Sequence, residues 1–332
     1  MNAHMVMWIF GAGFVLLALG GEAVVRGGVM LQRVFGLSPV IIGLFVLSLG
    51  TASPTLAVAV QGATSNLADL AVGTVLGATL INLLLILGLG ALIQPMPSAP
   101  KVVLRDGGAL LIACAALALL ALHGQIGRRE GAILIAAFLV YAIVAVATDW
   151  RRSAAHSVAC AEAERRLTGE HPSIAGALFV LTVGVICLLL GAHFLEGGTL
   201  GLAASRGIPV PTLALTLVAL AVSLPVLIVT AIAAARGHTQ IAIGHLITAS
   251  VFNLFGVLGT AALVRPLTIS PAFASLDVFV VLGASVLLMP LLASHWRLSR
   301  AKGALLLLVY IGYIGYLAWR QGMLPHGLLG IA

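Results

Sequence analysis

Two short segments set a proline among small and hydroxyl-bearing residues inside long apolar runs. They are Gly50-Thr51-Ala52-Ser53-Pro54-Thr55 and Ala221-Val222-Ser223-Leu224-Pro225-Val226. A proline inside a helix removes one backbone donor and frees the carbonyl four residues earlier, here Gly50 and Ala221. In lipid a freed carbonyl must find a hydroxyl, a water or an ion. Two further segments, Gly77-Ala78-Thr79-Leu80-Ile81-Asn82 and Thr248-Ala249-Ser250-Val251-Phe252-Asn253, bring an asparagine into apolar surroundings. A buried amide needs a polar partner. Each feature alone has a structural reading: a local hydroxyl can satisfy a kink, and Asn often bonds across packed helices. Occurring twice, they point to a shared polar site.

Ionisable side chains in apolar runs form a second set: Glu22, His193, Glu196 and His245. His193 and Glu196, three apart, share one helix face. Buried Glu and His pairs suit proton relay, because burial and mutual pairing bring both groups toward neutrality. The structural alternatives are a Glu22–Arg26 pair at spacing four and a hydrogen-bonded core histidine at 245. Asp69, Asp106 and Asp277 precede or begin apolar runs, where a carboxylate complements a helix N-terminus.

The elements that hold these groups follow from composition. The chain is 61% hydrophobic and 8% charged, with a mean hydropathy of +1.18. An ordinary soluble chain carries about 25% charged residues, so a water-soluble globule is excluded. Disorder is excluded by the same figures, and three cysteines frame no disulfide scaffold. The net charge of +7 is spread singly or in pairs between apolar runs rather than as a stripe, so no nucleic-acid partner is expected. A bilayer span needs about 20 apolar residues. Ten candidates qualify: 5–30, 39–61, 70–94, 107–123, 131–148, 173–203, 211–235, 241–264, 277–293 and 303–320. Their unbroken apolarity excludes barrel strands, which alternate. The first stretch lacks a basic start and runs into Glu22 and Arg26, so it reads as a span rather than a cleavable leader.

Residues 36–96 align without a gap to 207–267, an offset of 171, with Pro54 on Pro225, Gly73 on Gly244, Asn82 on Asn253 and Gly88 on Gly259. The same offset pairs Gly20 with Gly191, Asp106 with Asp277 and Arg129 with Arg300. Each copy holds five spans, an odd number, so the second enters the membrane from the opposite side. This is the inverted repeat of many secondary transporters, whose sites lie near the midplane on interrupted helices. The expected organisation is therefore an all-α membrane protein of ten helices: 1–148 as the first repeat, 149–172 as a connection and 173–332 as the second repeat. Loops after odd-numbered spans hold twelve of the Lys and Arg residues, and the remaining five lie on the other side. The positive-inside rule then places the 149–172 loop in the cytoplasm and both termini outside, as in a bacterial inner (plasma) membrane.

With these motifs the sequence resembles the calcium/cation antiporter superfamily, the sodium/calcium and proton/calcium exchangers. The resemblance spans nearly the whole chain. It rests on Gly-Leu-Ser-Pro, Gly-Thr-Ala-Ser-Pro and Gly-Ala-Thr-x-x-Asn with their second copies, and on Tyr310, Tyr313 and Tyr316 in the last span. It implies a secondary-active cation antiporter working by alternating access, with spans 1 and 6 moving against spans 2, 3, 7 and 8. Carried over residue by residue, it implies hydroxyl ligands at Thr51 and Ser223 and amide ligands at Asn82 and Asn253. Where the family has glutamate after each proline, this chain has Thr55 and Val226. Ala78 and Ala249 replace serine, and Thr79 and Ser250 replace the first asparagine of the second motif. Calcium takes six to eight oxygens, usually including carboxylates, so these departures bear on cargo. Calcium, sodium, a proton or a small neutral or organic solute are the cargoes considered, and a non-transporting membrane subunit is the alternative outside transport. No cofactor is implied, and no catalytic or nucleotide-binding motif suggests an enzyme.

Overall fold

A computed structural model describes residues 3–35, 48–98, 100–168, 173–235 and 239–321. The chain is almost entirely helical. Helix α1 is Ala3–Phe35 and α2 is Ser48–Thr64, which carries Pro54 inside it. Helix α3 covers Ala68–Ile93 and contains a π-turn at Ile81–Ile86. Next come α4, Pro100–His123, α5, Arg128–Thr168, and α6, Ile174–Arg206. Helix α7 starts at Val210–Leu213, passes through a π-turn at Ala214–Val218 and continues as Ala219–Ala235 with Pro225 inside. Helix α8 is Thr239–Val251, a π-turn Phe252–Val257 and Leu258–Val264. Helix α9 runs from a π-turn Phe273–Asp277 through Val278–Ala293, and α10 is Arg300–Arg320.

Nine helices among the described residues are long and apolar enough to cross a membrane. The tenth expected span is α2, whose preceding residues 36–47, including the Gly-Leu-Ser-Pro motif, lie outside the described residues. The protein is an integral, multi-pass membrane protein. Helix α5 runs on to Thr168, so most of the connection read from sequence as a loop over 149–172 is a helical extension; residues 169–172 lie outside the described residues.

Burial separates the helices into two groups. In α3 and α8, 78% and 83% of the span is buried, against 22% in α1, α6 and α10. Helices that are apolar all round are core elements, and α2, α3, α7 and α8 pack on one another as that core. Helices α1 and α6 pack along each other and lean on α2. Their contact is built on glycine: a Cβ on Gly20 would lie 2.9 Å from the Gly184 carbonyl oxygen, and one on Gly191 would lie 2.8 Å from the Leu17 nitrogen. Small residues let transmembrane backbones approach this closely.

Two minimal sheets report the relative direction of the halves. Strand β1, Met96–Pro97 after α3, pairs with β4, Arg297–Leu298 after α9. Strand β2, Gln125–Ile126 after α4, pairs with β3, Leu267–Thr268 after α8. The two sheets sit at opposite ends of α4, whose 24 residues span about 36 Å. The ends of α3 and α9 therefore share one face and those of α4 and α8 the other, as an inverted repeat requires. The pairing also corrects the constant offset. Arg128 and Arg300 both open their helices, so the spacing there is 172 and Arg300 matches Arg128, not Arg129. The additional residue is accommodated in the turn before α10, where His295 and Trp296 both have positive φ, against Gly124 before α5.

Cys114 on α4 and Ser285 on α9, mates at offset 171, touch each other at 3.1 Å between sulfur and hydroxyl. Repeat mates meet only on the pseudo-twofold axis, so this pair marks it. With Cys160 and Cys187 changed to serine, Ser285→Cys should form a disulfide with Cys114 under mild oxidation, because the side-chain atoms already converge. Loss of maleimide labelling in the denatured chain, restored by reductant, checks this; two freely labelled thiols would misplace the axis.

Candidate ion-binding site

The two asparagines occupy equivalent π-turns. In α3 the Leu87 amide donates to the Asn82 carbonyl five residues back, and in α8 Leu258 does the same to Asn253. Such single-turn π distortions recur at functional sites because they turn a side chain away from the regular helical face. Asn82 and Asn253 are buried, and in each the side-chain Oδ1 has no hydrogen-bond partner. The π-turn of α3 packs on α7, the Pro225 helix, while that of α8 packs on α2, the Pro54 helix. Each asparagine is thus held against the proline helix of the opposite half.

The hydroxyls around them behave differently. Thr79 and Ser250, one helical turn before the asparagines, donate to Val75 and Leu246 carbonyls at 2.8 Å each. A hydroxyl with its proton so committed presents only oxygen lone pairs to anything else. Thr51, Thr55 and Ser223 are all buried, and Thr51 Oγ1 shares a 3.3 Å hydrogen bond with His245 Nε2. The carbonyl of Gly50, freed by Pro54, accepts from Ser53 at 2.6 Å, which is the local satisfaction of a kink. Ala221 has no such hydroxyl beside it, because Leu224 stands where the first half has Ser53. Both prolines face α1: a Cβ on Gly21 would lie 3.2 Å from Pro54 Cγ and 3.8 Å from Pro225 Cγ.

The four Glu and His residues do not form one relay. Glu22 is exposed and paired with Arg26 at 2.7 Å, since residues four apart on an outward helix face meet readily. His193 is 69% exposed and stands 4.0 Å from Glu196. Glu196 is buried and accepts from Gln61 of α2 at 2.7 Å. Of the four, only His245 reaches a hydroxyl of the proline motifs. Asp69 sits in the first turn of its helix as expected. Asp106 and Asp277 do not: both are buried and accept from tyrosines, Tyr141 at 3.0 Å and Tyr313 at 2.8 Å. Gln61 and Tyr141 escaped the sequence reading, and Thr248 figures in it only as part of the second asparagine segment. The signal for Tyr141 was a second Asp and Tyr pair at nearly the same spacing, in Asp277 and Tyr313.

A ten-span inverted repeat with polar groups gathered on interrupted helices between the halves defines a secondary-active membrane transporter. The chain belongs to the sodium/calcium exchanger protein family, whose profile matches residues 5–147 and 176–319. It is 33% identical to inner membrane protein YrbG of Escherichia coli (strain K12) over 322 residues, covering 94% of this chain and 96% of YrbG. It is 24% identical to sodium/calcium exchanger MaX1 of Methanosarcina acetivorans over 339 residues, covering 91% and 95% of the two chains. The solved sodium-calcium exchanger NCX_Mj superposes with a TM-score of 0.66 at 25% identity, covering 95% of this chain and 99% of that one.

An unpartnered buried oxygen destabilises the empty protein, so its removal should not. Asn82→Leu and Asn253→Leu are expected to keep or raise the melting temperature without added cation, and to abolish the rise that a bound cation produces by mass action. Thermal melts in choline and in sodium buffers check this. A large fall of the cation-free melting temperature would show that the amides hold the fold instead.

Proposed function

We propose that the chain is an alternating-access cation antiporter of the sodium/calcium exchanger type whose own site is suited to monovalent cations. The observation that carries the reading is the pair of buried, unpartnered amide oxygens at equivalent turns of the two halves. Asn82 and Asn253 supply these oxygens, with Thr51, Thr55 and Ser223 as hydroxyl ligands and Thr79 and Ser250 as flanking oxygens. His245 orients Thr51 through their shared hydrogen bond.

Charge decides the cargo. The cost of moving an ion out of water grows with the square of its charge, so a dication costs about four times as much as a monovalent ion of equal size. Carboxylates offset that cost in calcium sites. Here the positions after the prolines are Thr55 and Val226, both buried, and among the described residues no three His, Cys, Asp or Glu side chains converge to hold a metal ion. Neutral amide and hydroxyl oxygens can replace the hydration of a singly charged ion without carboxylates. MaX1 and NCX_Mj are named for sodium and calcium; of those two ions, the neutral oxygens here suit sodium.

The charge asymmetry of the loops orients the protein with both termini outside and the 149–172 connection in the cytoplasm. YrbG is named as an inner membrane protein, in keeping with a plasma-membrane location. Flux in proteoliposomes tests the cargo. Exchange of radioactive sodium should proceed with the unmodified protein and be lost in Asn82→Leu. Radioactive calcium should not enter against outward sodium until Thr55→Glu and Val226→Glu are introduced together. Calcium uptake by the unmodified protein would overturn the monovalent reading, and silence toward every cation would overturn transport.

A further inference from the structure

Away from the asparagines, a chain of hydrogen bonds leads from the end of the apolar part of α5 to the site helix α8. The Tyr141 hydroxyl donates to Asp106 Oδ1 at 3.0 Å and lies 3.0 Å from Thr248 Oγ1. Its one proton is committed to the carboxylate, so Thr248 must be the donor in the second contact. Asp106 also accepts from Arg105, Nε to Oδ1 at 2.6 Å and Nη2 to Oδ2 at 3.1 Å. Arg105 Nη1 then donates to Thr148 Oγ1 at 2.7 Å. Thr148 is exposed, at the end of the apolar part of α5 and just before Asp149, Arg151 and Arg152. Tyr141, Asp106 and Thr248 are buried. The file thus begins at the edge of the membrane-spanning region and ends on α8, five residues before Asn253, on a helix that packs against α2 and the π-turn of α3.

The second half holds an incomplete copy. Tyr313 donates to Asp277 at 2.8 Å, but the mate of Thr248 at offset 171 is Gly77 and the mate of Arg105 is Leu276. The copy therefore lacks the hydroxyl on the site helix, and its guanidinium, Arg320 of α10, acts on Asp277 from another helix rather than from the adjacent position. A tyrosine–aspartate pair that only braced the fold would not need the Thr248 hydroxyl.

We propose that Thr248, Tyr141 and Asp106 form a one-sided proton route between the site and the membrane face where the polar extension of α5 begins. Proton movement is thereby coupled to cation exchange. The inference rests on the antiporter reading above. In the step from the site toward that face, a water or hydronium on the site side gives a proton to the Thr248 oxygen. The Thr248 proton passes to Tyr141 and the Tyr141 proton to Asp106. The resulting carboxylic acid releases its proton to water beside Arg105 and Thr148. Each hydroxyl regains a proton, the carboxylate is restored and no electrons move. Besides Arg105 on its own helix, Asp106 meets Tyr141 from α5, and Thr148 of the same helix bonds Arg105. The titratable groups on the other elements packed against α4 are His245 on α8 and Asp277 on α9, the latter holding Tyr313; Phe252–Val257 and Val278–Ala293 contribute none.

Full-length protein in proteoliposomes with a trapped pH-sensitive dye tests the route under an imposed sodium gradient, with radioactive sodium self-exchange measured alongside. Tyr141→Phe and Thr248→Val should each lower sodium-driven proton flux by about tenfold or more while self-exchange stays within about twofold, the scale of a lost proton-transfer group. Tyr313→Phe should leave both unchanged. Sodium self-exchange without proton flux in the unmodified protein would overturn the proton route and spare the antiporter reading. Equal effects of Tyr141→Phe and Tyr313→Phe, or loss of self-exchange together with proton flux, would make these pairs braces and also overturn it. Absence of any cation exchange in the unmodified protein would remove the antiporter reading and the route with it.

Discussion

A buried amide oxygen without a hydrogen bond costs a folded protein about 1–3 kcal/mol, and inside a bilayer there is no bulk water to relieve it. Among the described residues there are two, on Asn82 and Asn253, at equivalent turns of inverted halves. The core follows from that constraint. Helices α3 and α8 must be interrupted to aim the amides, so they are enclosed by the proline helices α2 and α7, where broken helical regularity is shielded from lipid. Helices α1 and α6 lie outside this core, joined through glycine contacts and resting on both prolines at Gly21. Glycine contacts carry few interlocking side chains and bring the two backbones close together.

The duplication is inverted but not exact, and its departures carry chemical meaning. Ser53 satisfies the Gly50 carbonyl in the first half, while Leu224 stands at that position in the second. Thr74, which donates to its own helix at Leu70, has His245 as its mate, and His245 reaches across to Thr51 of the opposite half. Gly77 approaches the backbone of α7 at Leu215, whereas its mate Thr248 is large enough to meet Tyr141. A symmetric site would offer a cation the same ligands from both faces. These exchanges of small, hydroxyl and imidazole groups make the two faces chemically distinct.

Much of this was legible in the sequence. Spans are readable because an apolar run of helix length has few other uses, and the halves because Pro54, Asn82 and Gly88 recur at one offset in a chain with little polar information. The π-turns were not legible, since an inserted residue in an all-apolar helix leaves no break in hydrophobic periodicity. The change of offset to 172 escaped for a related reason: between Cys114 and Arg128 few residues are distinctive enough to reveal a gap. Glu22 and His193 carried ionisable groups in apolar runs, yet both face outward, because a single helix face cannot be assigned from span composition alone. Tyr141 and Thr248 come together from helices 107 positions apart, a contact that depends on tertiary packing.

The central claim is that Asn82 and Asn253 turn their unpaired oxygens toward one monovalent cation. Anomalous diffraction from crystals soaked in thallium(I), a heavy monovalent cation, tests it most directly. One strong peak within coordination distance of both Oδ1 atoms, absent in crystals of Asn82→Leu, is the predicted result. Thallium bound elsewhere with the asparagine pair empty, in protein that still exchanges sodium, would contradict it.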